Sequence, residues 1–287
     1  MLAWNLLVVL WGALVRASGS GAGCGSHWPL CNGEVVPLAP RMETIIEFTH
    51  RMMSGVALVA VAVLWLWSRR NFSRGGRARK MALASVAFLI TEALLGAGLV
   101  LFNYVDKNQS VGRAFYLSLH LANTLLLLAA LALTAWYSRG APITPGRRSP
   151  LVWAALPIAM LVCITGAIAA LGDTLFPATS LVQGLRQDFS GAANFLLRLR
   201  VLHPLFAVLG ALYFAGVSIH VLRSHQAARL ATCVLVLALT QLGAGALNVI
   251  LLAPVWMQIT HLLLADLVWI ALVLLAVETQ PRARPHG

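Results

Sequence analysis

Four histidines lie within long apolar segments of this sequence, where an ionisable side chain is costly and is usually retained for a function. His50 and His120 fall in EFTHRMMSG and LSLHLAN, and His203 and His261 fall in RVLHPLFAV and MQITHLLLAD. Each half of the chain therefore carries one pair of histidines at matching positions. The remaining histidines occur in loops, in the tail or near a helix end, and we assign no function to them: His27, His220, His225 and His286.

Two imidazoles that project from antiparallel helices at one depth can occupy both axial positions of a haem iron inside a bundle. A zinc site would need further Cys, Asp or Glu ligands at the same level. Glu47 is available in the first half, but the matching position in the second half is Arg200. A haem in each half therefore fits the residues better than zinc does.

Glu47 makes the two halves chemically different. It stands three residues before His50, so the two side chains share a helix face. A carboxylate beside a haem edge could relay a proton or orient an oxidant. Alternatively, Glu47 is an acid at a helix start, where the helix dipole favours negative charge. The first interpretation predicts chemistry in the first half and haem retention in the second.

Haem propionates need cations near the membrane surface, and several arginines lie close to predicted outer helix starts. Two acids, Glu92 and Asp266, fall near mid-membrane and could move protons or pair with polar neighbours. The arginines considered as propionate contacts are Arg41, Arg51, Arg113, Arg198 and Arg200, of which we select Arg51, Arg113 and Arg200.

The elements that position these residues follow from composition. The chain has 287 residues, of which 60% are hydrophobic and 10% charged, with a mean hydropathy of +0.82. The sequence contains eight apolar runs, most of them about 20 residues long, which is the length that spans a bilayer. They predict an all-α polytopic membrane protein with eight transmembrane helices, of which the first is barely long enough to cross. The lipid bilayer is then its solvent. The runs are 2–17, 44–68, 81–103, 114–137, 151–172, 199–222, 229–252 and 257–279.

The net charge of +12 does not indicate a nucleic acid partner, because the basic residues are spread over short loops rather than along one stripe. The loop RRNFSRGGRARK is the most basic, and the positive-inside rule places it in the cytoplasm. Alternation then places both termini in the cytoplasm of a cell-membrane protein, and two long loops, 18–42 and 173–197, outside. The other cytoplasmic arginines are Arg139, Arg147, Arg148, Arg223, Arg229, Arg282 and Arg284.

An internal repeat divides the chain into two pseudo-symmetric four-helix bundles, 1–140 and 141–287. ITEALLGAGLVLFN in the third run resembles LTQLGAGALNVIL in the seventh, with an acid or amide before Gly-Ala-Gly. Because each unit has an even number of crossings, equivalent residues lie at equivalent depths. We expect the four helix histidines five to seven residues inside their helices, roughly 8–10 Å below the outer interface at ~1.5 Å per residue.

Cysteine usage is sparse. Cys24 and Cys31 share the first outer loop, where an oxidising compartment would allow a disulfide. Cys163 and Cys233 lie in apolar runs and are interpreted as small packing residues.

The stretch GALVRASGSGAGCGSHWPLCNG, followed by IIEFTHR, resembles the signature region of haem A synthase. The resemblance implies oxidation of the C8 methyl group of haem O to a formyl group, giving haem A for terminal oxidases. It implies that His50 and His120 hold the substrate haem O, that His203 and His261 ligate a haem b cofactor, and that Glu47 is catalytic. A disulfide or redox role is attached to the cysteine pair, and a haem O synthase is the expected partner.

Two features depart from that family. The second long outer loop has no cysteine pair, and the first apolar run is short. The sequence leaves the electron-transfer partner unidentified and association into a homo-oligomer open. The main alternative is a di-haem b-type electron-transfer protein, which would need the same histidines but no substrate, and Glu47 is the residue that discriminates between the two. A transporter built from repeats is less suitable, because it would place broken helices at mid-membrane.

Overall fold

The computed structural model describes residues 1–140, 149–224 and 227–279. His225, His286, Arg147, Arg148, Arg282 and Arg284 lie outside these ranges. Apart from one isolated bridge between Cys31 and Glu34, the regular elements within the ranges are helices. A short 3₁₀ turn covers Ser20–Ala22. The α-helices are α1 Leu2–Ala17, α2 Met42–Asn71, α3 Arg77–Leu101, α4 Val111–Ser138, α5 Pro150–Leu175, α6 Leu181–Asp188, α7 Phe195–Arg200, α8 Leu202–Arg223, α9 Ala228–Ile250 and α10 Val255–Glu278.

Most of these helices can cross a bilayer. In the described part of the chain, seven segments are long and apolar enough, with α7 and α8 forming one such segment, Phe195–Arg223. Helix α1 is apolar but has only 16 residues. The prediction of an all-α, multi-pass membrane protein is therefore confirmed. The eighth crossing, by α1, stays a prediction.

Local sequence explains where several helices begin and break. Ser110 caps α4 through its Oγ, which accepts from the backbone N–H of Arg113 at 3.2 Å. Asn194 caps α7 by accepting from the N–H of Leu196 at 3.0 Å. Pro204 cannot donate to the carbonyl four residues earlier, which belongs to Arg200, and α7 ends at that residue. The proline thus accounts for the break between α7 and α8.

The second long outer loop is more ordered than the sequence predicts. Residues 173–197 contain the end of α5, the whole of α6 and the start of α7. Ser180 caps α6 by accepting from the N–H of Gln183 at 3.2 Å. The 8-residue helix is too short to give a clear sequence periodicity, which explains why it is missed.

The helices of each half have the same order of neighbours. Helix α1 packs on α2, α2 on α3, α3 on α4, and α4 on α1. In the second half, α5 packs on α8, α8 on α9, α9 on α10, and α10 on α5. The halves meet where α4 contacts α5 and α10, and where α1 contacts α10. Trp269 of α10 donates its indole N–H to the carbonyl of Leu125 in α4 at 2.6 Å, which fixes that contact.

Candidate functional site

His203 on α8 and His261 on α10 face each other in the second half. Their ring centres are 6.4 Å apart and the rings are nearly perpendicular, at 79°. An ion bound to one nitrogen of each ring at about 2.0–2.1 Å would hold the ring centres roughly 6 Å apart. The observed pair therefore has the spacing that two axial ligands of one metal ion require.

Glycines on neighbouring helices give these two rings their space. A Cβ placed on Gly166 of α5 would lie 2.9 Å from Cε1 of His203. A Cβ on Gly245 of α9 would lie 3.0 Å from Cε1 of His261. Thr165, beside the first glycine, has its hydroxyl 3.2 Å from Nδ1 of His203, which leaves Nε2 of that ring available to a metal.

The first half repeats the arrangement with His50 on α2 and His120 on α4. The two imidazoles are close enough for a charge on one to act on the other. A Cβ on Gly12 of α1 would lie 3.0 Å from Cε1 of His50, and one on Gly96 of α3 would lie 3.8 Å from Cε1 of His120. Among the described residues, Nδ1 of both rings is buried without a hydrogen-bond partner. The structure thus brings together both pairs that the sequence singles out.

These contacts change the register of the internal repeat. The sequence comparison matches the two Gly-Ala-Gly motifs directly, which would pair Gly96 with Gly243. In the structure Gly96 faces His120 and Gly245 faces His261, so Gly96 corresponds to Gly245, two residues after Gly243. Glu92 and Gln241 then also match, because each stands four residues before the glycine. The histidine contacts therefore favour this alignment of the predicted repeat over the one based on the glycine motif.

Glu47 is 3% exposed, and both of its carboxylate oxygens are engaged. Oε2 accepts from the backbone N–H of Cys24 at 2.8 Å, and Oε1 accepts from Nη2 of Arg51 at 2.5 Å. The carboxylate therefore connects α2 to the first outer loop as well as standing near His50. The interpretation of Glu47 as a simple helix-start acid does not account for these two contacts.

The first outer loop is closed by a disulfide between Cys24 and Cys31, seven residues apart, as the sequence allowed. The loop lies directly on α2. Thr44 donates its hydroxyl to the carbonyl of Gly23 at 2.7 Å. A Cβ on Gly23 would lie 2.4 Å from the carbonyl oxygen of Glu43, so only glycine allows this approach.

The three predicted propionate contacts are bonded to protein atoms. Arg51 donates to the carbonyls of His27 and Leu30, both at 2.6 Å, in addition to Glu47. Arg113 donates to the carbonyls of Asp106 at 2.5 Å and Asn108 at 2.8 Å.

Arg200 forms salt bridges with Asp173 at 2.9 Å and Asp188 at 2.6 Å. Each of the three arginines thus connects its own helix to residues of a neighbouring loop or helix end. A guanidinium has five N–H donors, so each of the three retains donors beyond these contacts.

Sequence reasoning named Glu92 and Asp266 only as mid-membrane acids. Glu92 lies beside His120, with its Oε1 3.3 Å from Nδ1 of that ring. Gln241, which the sequence marks only as the amide before the second Gly-Ala-Gly motif, has its Nε2 3.3 Å from Nε2 of His261. Asp266 is fully buried, and within the described ranges its carboxyl oxygens have no hydrogen-bond partner.

The helices and the two histidine pairs define a multi-pass membrane protein with buried imidazoles facing each other between its helices. Comparison with protein families makes the assignment specific: the model of the cytochrome oxidase assembly protein family (COX15-CtaA) matches residues 1–273. The chain belongs to this family.

Individual relatives carry two different names. A Thermus thermophilus protein named protoheme IX farnesyltransferase is 50% identical over 289 residues, which cover 98% of this chain and 48% of that protein. Heme A synthase of Shouchella clausii is 43% identical over 122 residues, covering 42% of this chain and 40% of the relative. Heme A synthase of Alkalihalophilus pseudofirmus is 41% identical over 130 residues, covering 45% and 40%. The chain thus spans less than half the length of the curated relatives it matches.

Proposed function

We propose that this chain is a haem A synthase, which oxidises the C8 methyl group of haem O to a formyl group. The observation that carries the proposal is the geometry of the imidazole pairs, each ring of which is packed against a helix glycine. Membership of the cytochrome oxidase assembly protein family and the relatives named heme A synthase support it.

The proposed architecture has two four-helix units, 1–140 for the substrate haem and 141–287 for haem b, with α1 as the eighth crossing. The repeated order of helix neighbours supports the pseudo-symmetry. Both termini are assigned to the cytoplasm, and the Cys24–Cys31 loop to the outer side, by the positive-inside rule.

In this assignment His203 and His261 ligate the iron of haem b, and His50 and His120 hold haem O. The spacing of 6.4 Å between the rings of the second pair supports an iron there. A bound haem b would supply one-electron redox chemistry. The protein supplies the buried imidazoles, the glycine faces that let a flat macrocycle approach, and exclusion of water by the surrounding helices.

Glu47 is proposed as the catalytic residue of the first half. Its carboxylate is buried and held in place by Arg51 and by the backbone of Cys24. A carboxylate fixed in this way can hold or accept a proton near the substrate. The unused donors of Arg51, Arg113 and Arg200 are assigned to haem propionates.

Oxidation of a methyl group removes electrons, so the reaction needs an electron-transfer partner, which stays unidentified. A haem O synthase is the proposed source of the substrate. The Thermus thermophilus relative is named protoheme IX farnesyltransferase, and this chain covers 48% of that protein.

Farnesyl transfer by this chain itself has less support. The matched region is 48% of the Thermus thermophilus protein, so the farnesyltransferase name does not point to this region in particular. The paired imidazoles favour haem oxidation instead.

The proposal is tested by co-expressing the chain with a source of haem O and extracting the pigments. Haem A should appear with the wild-type chain, whereas a di-haem electron carrier would leave haem O unchanged. Glu47→Gln should keep the haem b spectrum and stop product formation. Glu43→Gln is the matched control, because Glu43 is exposed on the same helix and should behave as wild type. Haem A at the wild-type rate from Glu47→Gln would remove the catalytic assignment.

A further inference from the structure

Helix α3 places a carboxyl group beside the imidazole of His120. Nδ1 of His120 lies 3.3 Å from Oε1 of Glu92, although the contact lacks the direction of a full hydrogen bond. The carboxyl group itself is held from α4: Asn123 donates to Oε2 at 2.5 Å, and the hydroxyl of Thr124 donates to Oε1. Because all three partners lie within five residues of α4, the carboxyl group is fixed relative to the ring.

The second half has an amide at the matching position. Gln241 on α9 lies beside His261 as Glu92 lies beside His120, with 3.3 Å between the two Nε2 atoms. The two positions match because each stands four residues before a glycine that faces the histidine, Gly96 or Gly245. The halves therefore offer the same scaffold with an acid in one and a neutral amide in the other.

The difference matters because the group bonded to the far nitrogen of a ligating histidine selects its tautomer and its basicity. A carboxylate that accepts from Nδ1–H leaves Nε2 free for iron and makes the imidazole a stronger donor. A neutral amide has a weaker effect, and in this structure it faces Nε2 rather than Nδ1. His50 has no such partner at Nδ1 among the described residues.

We propose that Glu92 is a positioning residue that directs Nε2 of His120 toward the iron of the first-half haem and strengthens this ligand. The inference rests on the proposed function, because it takes His50 and His120 as the substrate-haem site. The two ligands of that iron then differ, because His120 has a carboxyl oxygen 3.3 Å from its Nδ1, whereas Nδ1 of His50 has no hydrogen-bond partner among the described residues. The side chains that contact the ring nitrogens of the second pair, Thr165 and Gln241, are neutral.

The test uses the purified full-length chain with haem added, and measures haem affinity and midpoint potential by redox titration of the absorption spectrum. Glu92→Gln should weaken first-half haem binding by ~10–100-fold, the usual effect of losing such a partner. It should also raise the midpoint potential of that haem, because a weaker donor stabilises the ferric state less. The second-half haem should keep its potential, which also reports that the variant is folded.

Glu92→Asp retains the acid at shorter reach and should give an affinity between those of the wild type and Glu92→Gln. Unchanged affinity and potential in Glu92→Gln would overturn the proposal even if the wild type makes haem A. A shift in the first-half haem of a chain that makes no haem A would uphold it and reject only the enzymatic function.

Discussion

At the residue scale, the helix glycines decide where the histidine rings can lie. A Cβ at Gly12, Gly166 or Gly245 would come within about 3.0 Å of an imidazole carbon, tighter than most real contacts of this kind. Each of these rings therefore packs directly against a helix where glycine has no side chain. This packing restricts the orientation of the imidazole in addition to any hydrogen bond that the ring makes.

Helix α9 offers a matched pair of glycines with which to test this role. Gly245→Ala should displace the His261 ring and reduce haem b binding, since the new Cβ would lie 3.0 Å from Cε1. Gly243→Ala adds a methyl group where nothing lies within 4 Å, and should bind haem b normally. The absorbance of the low-spin haem in purified protein measures both.

Gly243→Ala also controls for helix propensity, because replacing a mid-helix glycine by alanine stabilises by roughly 0.5–1 kcal/mol when there is space. Equal haem content in the two variants would show that the ring tolerates the Cβ, and would remove the glycine from the site.

One pair of matching positions carries opposite charges in the two halves. Glu47 binds the first outer loop through Cys24, and its counterpart Arg200 binds Asp173 and Asp188 of the second outer connection. A polar link from the second helix of each unit to its outer loop is therefore common to both halves. What is particular to the first half is that the link is an acid, which can also hold a proton.

At the scale of elements, α1 connects the two halves through Arg16. This residue follows the apolar part of α1, and its guanidinium reaches across to the other unit. Nη1 donates to the carbonyl of Ala170 and the hydroxyl of Thr174, both at 2.8 Å, and Nη2 donates to Oε1 of Gln258 at 3.0 Å. One arginine thus joins α1 to α5 and α10.

Arg16→Ala should lower the free energy of unfolding, because three hydrogen bonds from a charged donor are lost at a partly buried position. The carbonyl of Ala170 still accepts from Thr174, so we expect a loss of about 1–3 kcal/mol in total. Thermal unfolding of the protein in detergent measures the loss as a lower Tm. Arg41→Ala removes an exposed arginine and should change stability by no more than about 0.5 kcal/mol. Equal Tm values for the two variants would contradict a joining role for Arg16.

The sequence predicts the helices better than it predicts their contacts. Apolar length locates every long helix to within a few residues, since burial in lipid demands it. The histidine pairs are also predictable, because an ionisable residue is conspicuous in an apolar run. The contacts of Arg16 join residues up to 242 positions apart, and no local pattern reports them. The contact of Gln241 with His261 also joins two different helices, and a neutral amide is less conspicuous in an apolar helix than a charged residue.

At the scale of the whole molecule, the sidedness of the site follows from charge alone. The four helix histidines lie six to nine residues after the first residue of their helical segments, Met42, Val111, Phe195 and Val255. All four segments begin at the side opposite the basic loop between α2 and α3. If that loop is cytoplasmic, then both histidine pairs are close to the outer surface, on the same side as the disulfide loop.

Exposed glycines on the two faces allow this orientation to be measured. Gly75 lies in the basic loop and Gly191 in the second outer connection, and an added Cβ meets nothing within 4 Å at either position. In a chain with Cys163 and Cys233 replaced by alanine, Gly191→Cys should react with a membrane-impermeant maleimide in intact cells. Gly75→Cys should react only after the membrane is permeabilised, which also serves as the control for its reactivity. Labelling of Gly75→Cys alone in intact cells would invert the topology and place both haem sites near the cytoplasm.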